Sequence, residues 1–189
     1  QLKLDTDRFF VRGRNKGKIL SAPKNLPVRP TTDMAKEGIF NIIENYLEWD
    51  SSTALDLFCG TGNISFEMAS RGCSEVTSVD SHLNCIKYTN KIASELNYHE
   101  IHTKVSDAII FLKRNKRLWD FIFADPPYDF DNYNELIDHI PEKLKKNGVF
   151  ILEHGGQHDF NECKNFDSTR RYGSVRITIF RSKPNVTSA

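Results

Sequence analysis

Leu55-Asp56-Leu57-Phe58-Cys59-Gly60-Thr61-Gly62-Asn63 is the stretch that decides the fold. Thr53–Phe58 reads as a buried strand and Ile64–Ser70 as the helix that follows it. Between them, Gly60-Thr61-Gly62 lets the chain turn sharply and brings backbone close to a ligand. A dinucleotide-binding loop needs a third glycine, and Ser65 stands at that position. A nicotinamide-dependent dehydrogenase is disfavoured on that ground. Asp56 sharpens the reading, because a carboxylate at the end of this strand attracts a ligand's ammonium group and repels a pyrophosphate.

Outward from this loop, strands and helices alternate. Glu75–Val79 reads as a strand, and Leu83, Ile86, Ala93 and Leu96 mark a helix. Ile101–Val105 is a third strand, Ala108–Arg114 a helix, and Phe121–Ala124 an apolar run suited to a central strand. Leu136, Ile137, Ile140 and Leu144 predict one more helix, and Gly148–Glu153 one more strand. Such alternation implies a parallel sheet with helices on both faces. The end differs: Phe166–Arg171 and Val175–Arg181 flank Tyr172-Gly173-Ser174 with no helix between, which predicts an antiparallel hairpin finishing the sheet.

Ligands of open α/β sheets bind beyond the C-terminal ends of the strands, and acids recur there. Asp80 ends the second strand, where a carboxylate takes ribose hydroxyls, and Asp107 follows the third, placed to meet an adenine amino group. Each acid alone is as well explained as a helix cap. Three of them at successive strand ends beside a glycine loop form a pattern. Asp125-Pro126-Pro127-Tyr128 then follows the central strand directly. Prolines stiffen the backbone and lack N–H donors, leaving carbonyls to accept hydrogen bonds. With Asp125 they suit a planar amino group that has two hydrogens to give, and Tyr128 suits stacking on a base.

Upstream, Arg8, Arg12, Arg14, Lys16, Lys18, Lys24 and Arg29 lie in a segment without Asp or Glu. The net charge of +1 therefore splits into +7 for residues 8–29 and −6 for the remainder, which points to an anionic partner for one end. Residues 8–20 suit a short ribbon, and Pro23, Pro27 and Pro30 punctuate a loop. A helix capped by Thr31 or Thr32 then carries Ala35, Ile39, Ile42, Ile43 and Tyr46 on one apolar face.

A chain of 189 residues with 39% hydrophobic and 27% charged residues is an ordinary globular protein. No apolar run reaches the length of a membrane span, and Gln1–Asp7 lacks the apolar core of a signal peptide, so the expected location is the cytoplasm. Cys59, Cys73, Cys85 and Cys163 make no C-x-x-C pair and no zinc-binding spacing with histidine, so buried free thiols are expected and no metal.

The glycine loop at 55–62 paired with Asp125-Pro126-Pro127-Tyr128 resembles class I, amino-methylating methyltransferases. Arg12-Gly13, Lys16-Gly17-Lys18, Arg29-Pro30-Thr31-Thr32-Asp33 and Lys36-Glu37-Gly38-Ile39-Phe40-Asn41 narrow this to the bacterial RsmD family, over about residues 8–181. The resemblance implies a Rossmann-like α/β sheet of seven strands, mostly parallel with a C-terminal antiparallel hairpin. A basic N-terminal extension (1–50, ribbon and leading helix) would bind RNA through Arg12, Arg14, Lys16, Lys18 and Arg29. Residues 51–183 would form the catalytic domain and 184–189 a polar tail. It further implies S-adenosylmethionine as cofactor, with Gly60, Thr61 and Gly62 lining it, Asp80 on its ribose, and Asp107 with Ala108 near its adenine. The implied reaction is methylation of a guanine N2 in small-subunit (16S) ribosomal RNA, either naked or in an assembly particle, with Asp125, Pro126 and Tyr128 at the reacting end.

Two other functions are compatible with these motifs. One is a DNA adenine-N6 methyltransferase, although 189 residues leave little room for a separate recognition segment. The other is a ribosome-assembly factor that binds RNA and cofactor without turnover, against which intact Asp125 and Tyr128 argue.

Overall fold

A computed structural model describes residues 7–21, 23, 25–26 and 31–182, with 7–9 as backbone. Lys24, Arg29 and the tail 184–189 lie outside the described residues. Strands β1 (Asp7–Phe9) and β2 (Ile19–Ser21) form the small antiparallel ribbon that the basic segment suggests. Helix α1 (Asp33–Ile43) follows, and its N-terminus is capped by Thr32, whose hydroxyl accepts the Ala35 N–H at 3.2 Å.

The main sheet has seven strands in the order β5-β4-β3-β6-β7-β9-β8. These are β3 (Thr53–Leu57), β4 (Glu75–Asp80), β5 (Ile101–Val105), β6 (Trp119–Ala124), β7 (Leu144–Gly155), β8 (Phe166–Tyr172) and β9 (Val175–Arg181). The first five pair in parallel, and β9 lies antiparallel between β7 and β8. Helices α2 (Asn63–Ser70), α3 (Leu83–Glu95), α4 (Ala108–Arg114) and α5 (Tyr133–His139) join the parallel strands.

Side chains alternate across each strand, so every central strand feeds two cores. On one face Phe121, Phe123, Ile151 and Ile177 pack with Ile39 and Phe40 of α1, Phe66 of α2 and Ile92 of α3. On the other, Leu55, Leu57, Ile122 and Phe150 pack with Phe111 and Leu112 of α4 and Leu136 of α5. Burial on both faces is why β3, β6 and β7 read as nearly continuous apolar runs. Cys59, Cys73 and Cys85 are free and buried, whereas Cys163 is free and half-buried.

Three expectations are corrected. The apolar pattern through Ile140 and Leu144 is not one helix: α5 ends at His139, Pro141 starts a short 3-10 turn, and Leu144 already begins β7. Proline cannot donate to a helical hydrogen bond, and that signal outranks periodicity. Leu144 pairs with Trp119, and the register shifts before Phe121 meets Val149, which hides the early start of the strand. Likewise α1 stops at Ile43, and Tyr46 is exposed, with the Arg181 guanidinium 4.5 Å from its ring centroid.

The ribbon segment is held to α2 by a buried carboxylate. Glu67 accepts the backbone N–H groups of Val11 (2.9 Å) and Arg12 (3.0 Å), pairs with Arg71 Nε at 2.9 Å, and lies 3.4 Å from Lys36 Nζ. Removing one partner of a buried ion pair leaves an uncompensated charge, at a cost of about 3–5 kcal/mol. Glu67→Ala should therefore lower the unfolding free energy in urea by that order and shift the midpoint down, with Glu67→Gln milder; an unchanged midpoint for Glu67→Ala would refute the anchor.

Candidate active site

The chain leaves β3 outward to β4 and β5, then returns to β6 on the other side of β3. This reversal opens a crevice at the C-terminal ends of β3 and β6, the usual ligand position in open α/β sheets. Leu57 is paired with Ala124, so the glycine loop and Asp125-Pro126-Pro127-Tyr128 leave adjacent strands at one level. Asp80 and Asp107 follow on the next two strands, where Asp80 is paired with Val105. The structure thus brings Asp56, Gly60, Thr61, Gly62, Asp80, Asp107, Ala108 and Asp125 to one edge of the sheet.

The loop itself is tightly built. Phe58 takes a φ of +58°, unusual for a residue with a bulky side chain, and Gly62 a φ of +78°. The Cys59 N–H donates to the Val79 carbonyl at 2.9 Å and the Gly60 N–H to Asp80 Oδ2 at 2.8 Å. Asp80 Oδ1 accepts the His82 N–H at 2.8 Å. Asp80 therefore shapes the loop as well as facing the crevice. Gly62 differs from the sequence reading in one respect: a Cβ there would lie 3.0 Å from the Phe66 ring and from Thr89 Cγ2, so its smallness serves packing beneath the loop.

Asp56 is 1% exposed. Its Oδ2 accepts the Ser65 N–H at 3.1 Å and the Ser65 hydroxyl at 2.5 Å, while Oδ1 has no partner among the described residues. Burial pushes its carboxyl up to about 7 against the pull of those Ser65 hydrogen bonds. A buried acceptor without a donor beside a glycine loop is the feature a cationic ligand would satisfy. The neighbouring Cys59 thiol is pushed well above its ordinary value by burial, so it is no nucleophile. Asp107 is exposed and caps α4, accepting the Ile110 N–H at 2.9 Å, which realises the capping role weighed against its adenine role.

At the β6 end, the Phe130 N–H closes the turn on the Pro127 carbonyl at 2.9 Å. Tyr128 is 85% exposed, so its ring is open to solvent beside Asp125. Sequence reading missed the aromatic wall next to it. Phe58 meets Phe130 edge-on at 5.2 Å, Phe130 meets Tyr133 at 5.0 Å, and Tyr133 meets His158 at 4.4 Å. Burial and then the nearby Asp125 charge raise the Tyr133 phenol above its ordinary value. Glu153 at the end of β7 was also missed, although it obeys the same strand-end rule as Asp80; it is buried and accepts the Thr31 hydroxyl at 3.0 Å.

The basic segment does not join this edge. Arg14 N donates to the Ser70 carbonyl at 2.9 Å, at the far end of α2, and Arg14 pairs with Glu100 while lying 4.2 Å from the Tyr98 ring centroid. Arg12 is 3.4 Å from Glu44. These contacts fall at the N-terminal ends of the strands, opposite the crevice. Lys16 and Lys18 are exposed. Among the described residues, no cluster of His, Cys, Asp and Glu is suited to a metal, and no helix is long and apolar enough to cross a membrane.

Comparison with known proteins places this geometry. The family described as "Conserved hypothetical protein 95" matches residues 10–181. The Bacillus subtilis protein YlbH is 31% identical over 183 residues, covering 92% of this chain and 98% of that one. Ribosomal RNA small subunit methyltransferase D of Haemophilus influenzae is 29% identical, covering 76% of this chain and 77% of that one. Among solved structures, the Thermus thermophilus 16S rRNA N2 G1207 methyltransferase RsmC, in complex with AdoMet and guanosine, aligns with a TM-score of 0.72 at 18% identity, over 90% of this chain and 48% of that one. That last likeness carries the fold alone, a class I methyltransferase sheet. With a match that takes in all but the ends, the chain belongs to the Conserved hypothetical protein 95 family, which is the RsmD family of methyltransferases.

Proposed function

We propose that this protein transfers a methyl group from S-adenosylmethionine to the exocyclic N2 of a guanine in small-subunit ribosomal RNA. The observation that carries the reading is the pairing of Leu57 with Ala124, which sets the glycine loop and Asp125-Pro126-Pro127-Tyr128 side by side across the crevice. Relatives that bear the name ribosomal RNA small subunit methyltransferase D support the choice of substrate. Ribosomal RNA, naked or in a small-subunit assembly particle, is the partner, and the cytoplasm is the place of work.

The residues fit the cofactor. Gly60, Thr61 and Gly62 would line it, Asp56 with its unpartnered Oδ1 would favour its positive charge, Asp80 would take the ribose, and Asp107 with Ala108 would flank the adenine. When bound, the cofactor supplies an electrophilic methyl group on a sulfonium. The chain's own task is to hold the amine. Asp125 and the Pro126 carbonyl accept the two N2 hydrogens, which turns the nitrogen lone pair out of the ring and towards the crevice. The Pro127 carbonyl is already taken by Phe130. Tyr128 stacks on the base, a contact of roughly 1–3 kcal/mol. Positioning supplies much of the rate, and the methylated amine loses its proton to water without a strong base.

We assign residues 1–50 to RNA binding and 51–183 to catalysis, with Lys16 and Lys18 as the exposed phosphate contacts of the ribbon and Arg29 as a further one. Arg12 and Arg14 serve RNA only where phosphate displaces Glu44 and Glu100.

Three outcomes test this reading. Asp125→Ala should cut the turnover of labelled-methyl transfer to RNA far more than cofactor affinity, since its partner is the reacting amine; a normal rate would refute the clamp. Because burial holds Asp56 near 7, ionisation is incomplete at neutrality, and a cationic ligand favours the carboxylate. Cofactor affinity by calorimetry should therefore rise from about pH 6 to about pH 8 and stay flat in Asp56→Asn; parallel curves would remove Asp56 from the site. Finally, Lys16→Ala with Lys18→Ala should flatten the log–log salt dependence of RNA binding by about 0.7 to 0.9 per lost contact, while an unchanged slope would make the ribbon a scaffold only.

A further inference from the structure

A groove of about 390 Å³ runs along the outer side of α1, away from the crevice residues and unused by the proposed chemistry. Its lining carries an exposed polar stripe, Glu37, Asn41 and Asn45, at successive spacings of four along α1 and the turn that follows it, beside the buried Gly38 and Ile42. Tyr172 and Arg170 of β8 line it opposite α1, and Tyr46 lines it beyond the end of the helix. The Asn45 side-chain N–H donates to the Asn41 carbonyl at 3.4 Å, which lays that side chain along the groove. Gly38 lets Tyr172 seat against α1, because a Cβ there would lie 2.3 Å from the Tyr172 ring.

The groove's direction carries the argument. The Thr31 hydroxyl bonds Glu153 at the reaction edge of the sheet, and eleven helical residues later Glu44 pairs with Arg71 and Arg12 at the opposite edge. Helix α1, and the groove along it, thus runs from the reaction edge of the sheet towards the edge that holds the basic ribbon. From Met34 to Ile43 it extends about 14 Å by helical rise, the length of about four stacked nucleotides of one strand.

We propose that this groove carries the single-stranded RNA that flanks the methylated base, from the crevice to the ribbon. The reading rests on RNA as the substrate class. Its chemistry is that of unpaired nucleotides: aromatic rings for stacking, amides and a carboxylate for base edges, and arginines for phosphates. Arg181 lies over Tyr46, and the β8–β9 hairpin that bounds the groove carries Arg170, Arg171, Arg176 and Arg181 against Asp167. Glu37 is the one carboxylate among the lining residues, and it suits base amino groups rather than phosphate. A protein partner would want several apolar anchors, whereas Ile42 is buried and Met34 is the exposed aliphatic side chain of this lining.

The test uses the full chain and a labelled, unstructured oligoribonucleotide, with fluorescence anisotropy as the readout and cofactor titrated in parallel. Tyr46→Ala should weaken RNA binding about tenfold, the loss of one stacked base. Arg170→Ala should flatten the log–log salt slope by about 0.7, as one single-strand phosphate contact does. Cofactor affinity and the urea midpoint should match wild type in both. Photo-crosslinking from 4-thiouridine should map to 37–46 in the wild type and shift in Asn41→Ala. Wild-type RNA affinity in both variants, or crosslinks elsewhere, would overturn the groove, as would the finding that only a protein is held there. Because binding is read without turnover, a wild-type protein that binds RNA through the groove yet transfers no methyl would fail the proposed reaction and leave this path standing.

Discussion

Four donors converge on the carboxylate of Glu67, and the arrangement of the N-terminal third depends on it. Two are main-chain N–H groups of Val11 and Arg12, and two are the side chains of Arg71 and Lys36. All three charged side chains are at most 3% exposed. Without the acid, Lys36 and Arg71 would be buried cations against Phe10 and Phe40. Even with it, burial holds Lys36 down to about 8. Lys36 also donates to Asn63 Oδ1 at 2.8 Å, and Asn63 is the first residue of α2, directly after Gly62. One buried charge cluster therefore links the ribbon, α1 and the end of the glycine loop.

The crevice uses its acids in different ways. Asp80 accepts two backbone N–H groups, from Gly60 and His82, and so holds the loop in place. Asp56 sits deeper, with Ser65 on one oxygen and no described partner on the other. Identical carboxylates on adjacent strands thus serve differently, one maintaining the loop and one keeping an oxygen for a cationic guest. Phe58 adds a mechanical element, since its left-handed conformation turns its ring onto Phe130 and ties the loop to the segment after Tyr128.

Much of this was legible in the sequence because it is local. Gly60-Thr61-Gly62 after an apolar strand, acids at strand ends and Pro-Pro after Phe121–Ala124 are short-range signals, and each element they mark is present. What was not legible depends on partners far along the chain. Glu67 looks like an ordinary helical acid until Val11 and Arg12 arrive from 56 and 55 residues away. Arg12 and Arg14 look like free cations because Glu44 and Glu100 lie outside the basic run. The outer groove depends on Gly38 meeting Tyr172, a contact that neither segment announces. Pro141 is the exception, a local signal outweighed by an apolar pattern that continued past it.

The place of β9 has a consequence for synthesis. It is the last described strand to leave the ribosome, yet it lies inside the sheet, between β7 and β8. Chains emerge N-terminus first, at about 5–20 residues per second. Until Val175–Arg181 arrives, the edge of β7 along Val149–Leu152 has unpaired backbone groups amid apolar side chains, the kind of edge that recruits strands from other molecules. The nascent protein thus passes through a sticky interval of about 1–5 seconds, and its sheet closes only when the hairpin folds back on the strand that preceded it.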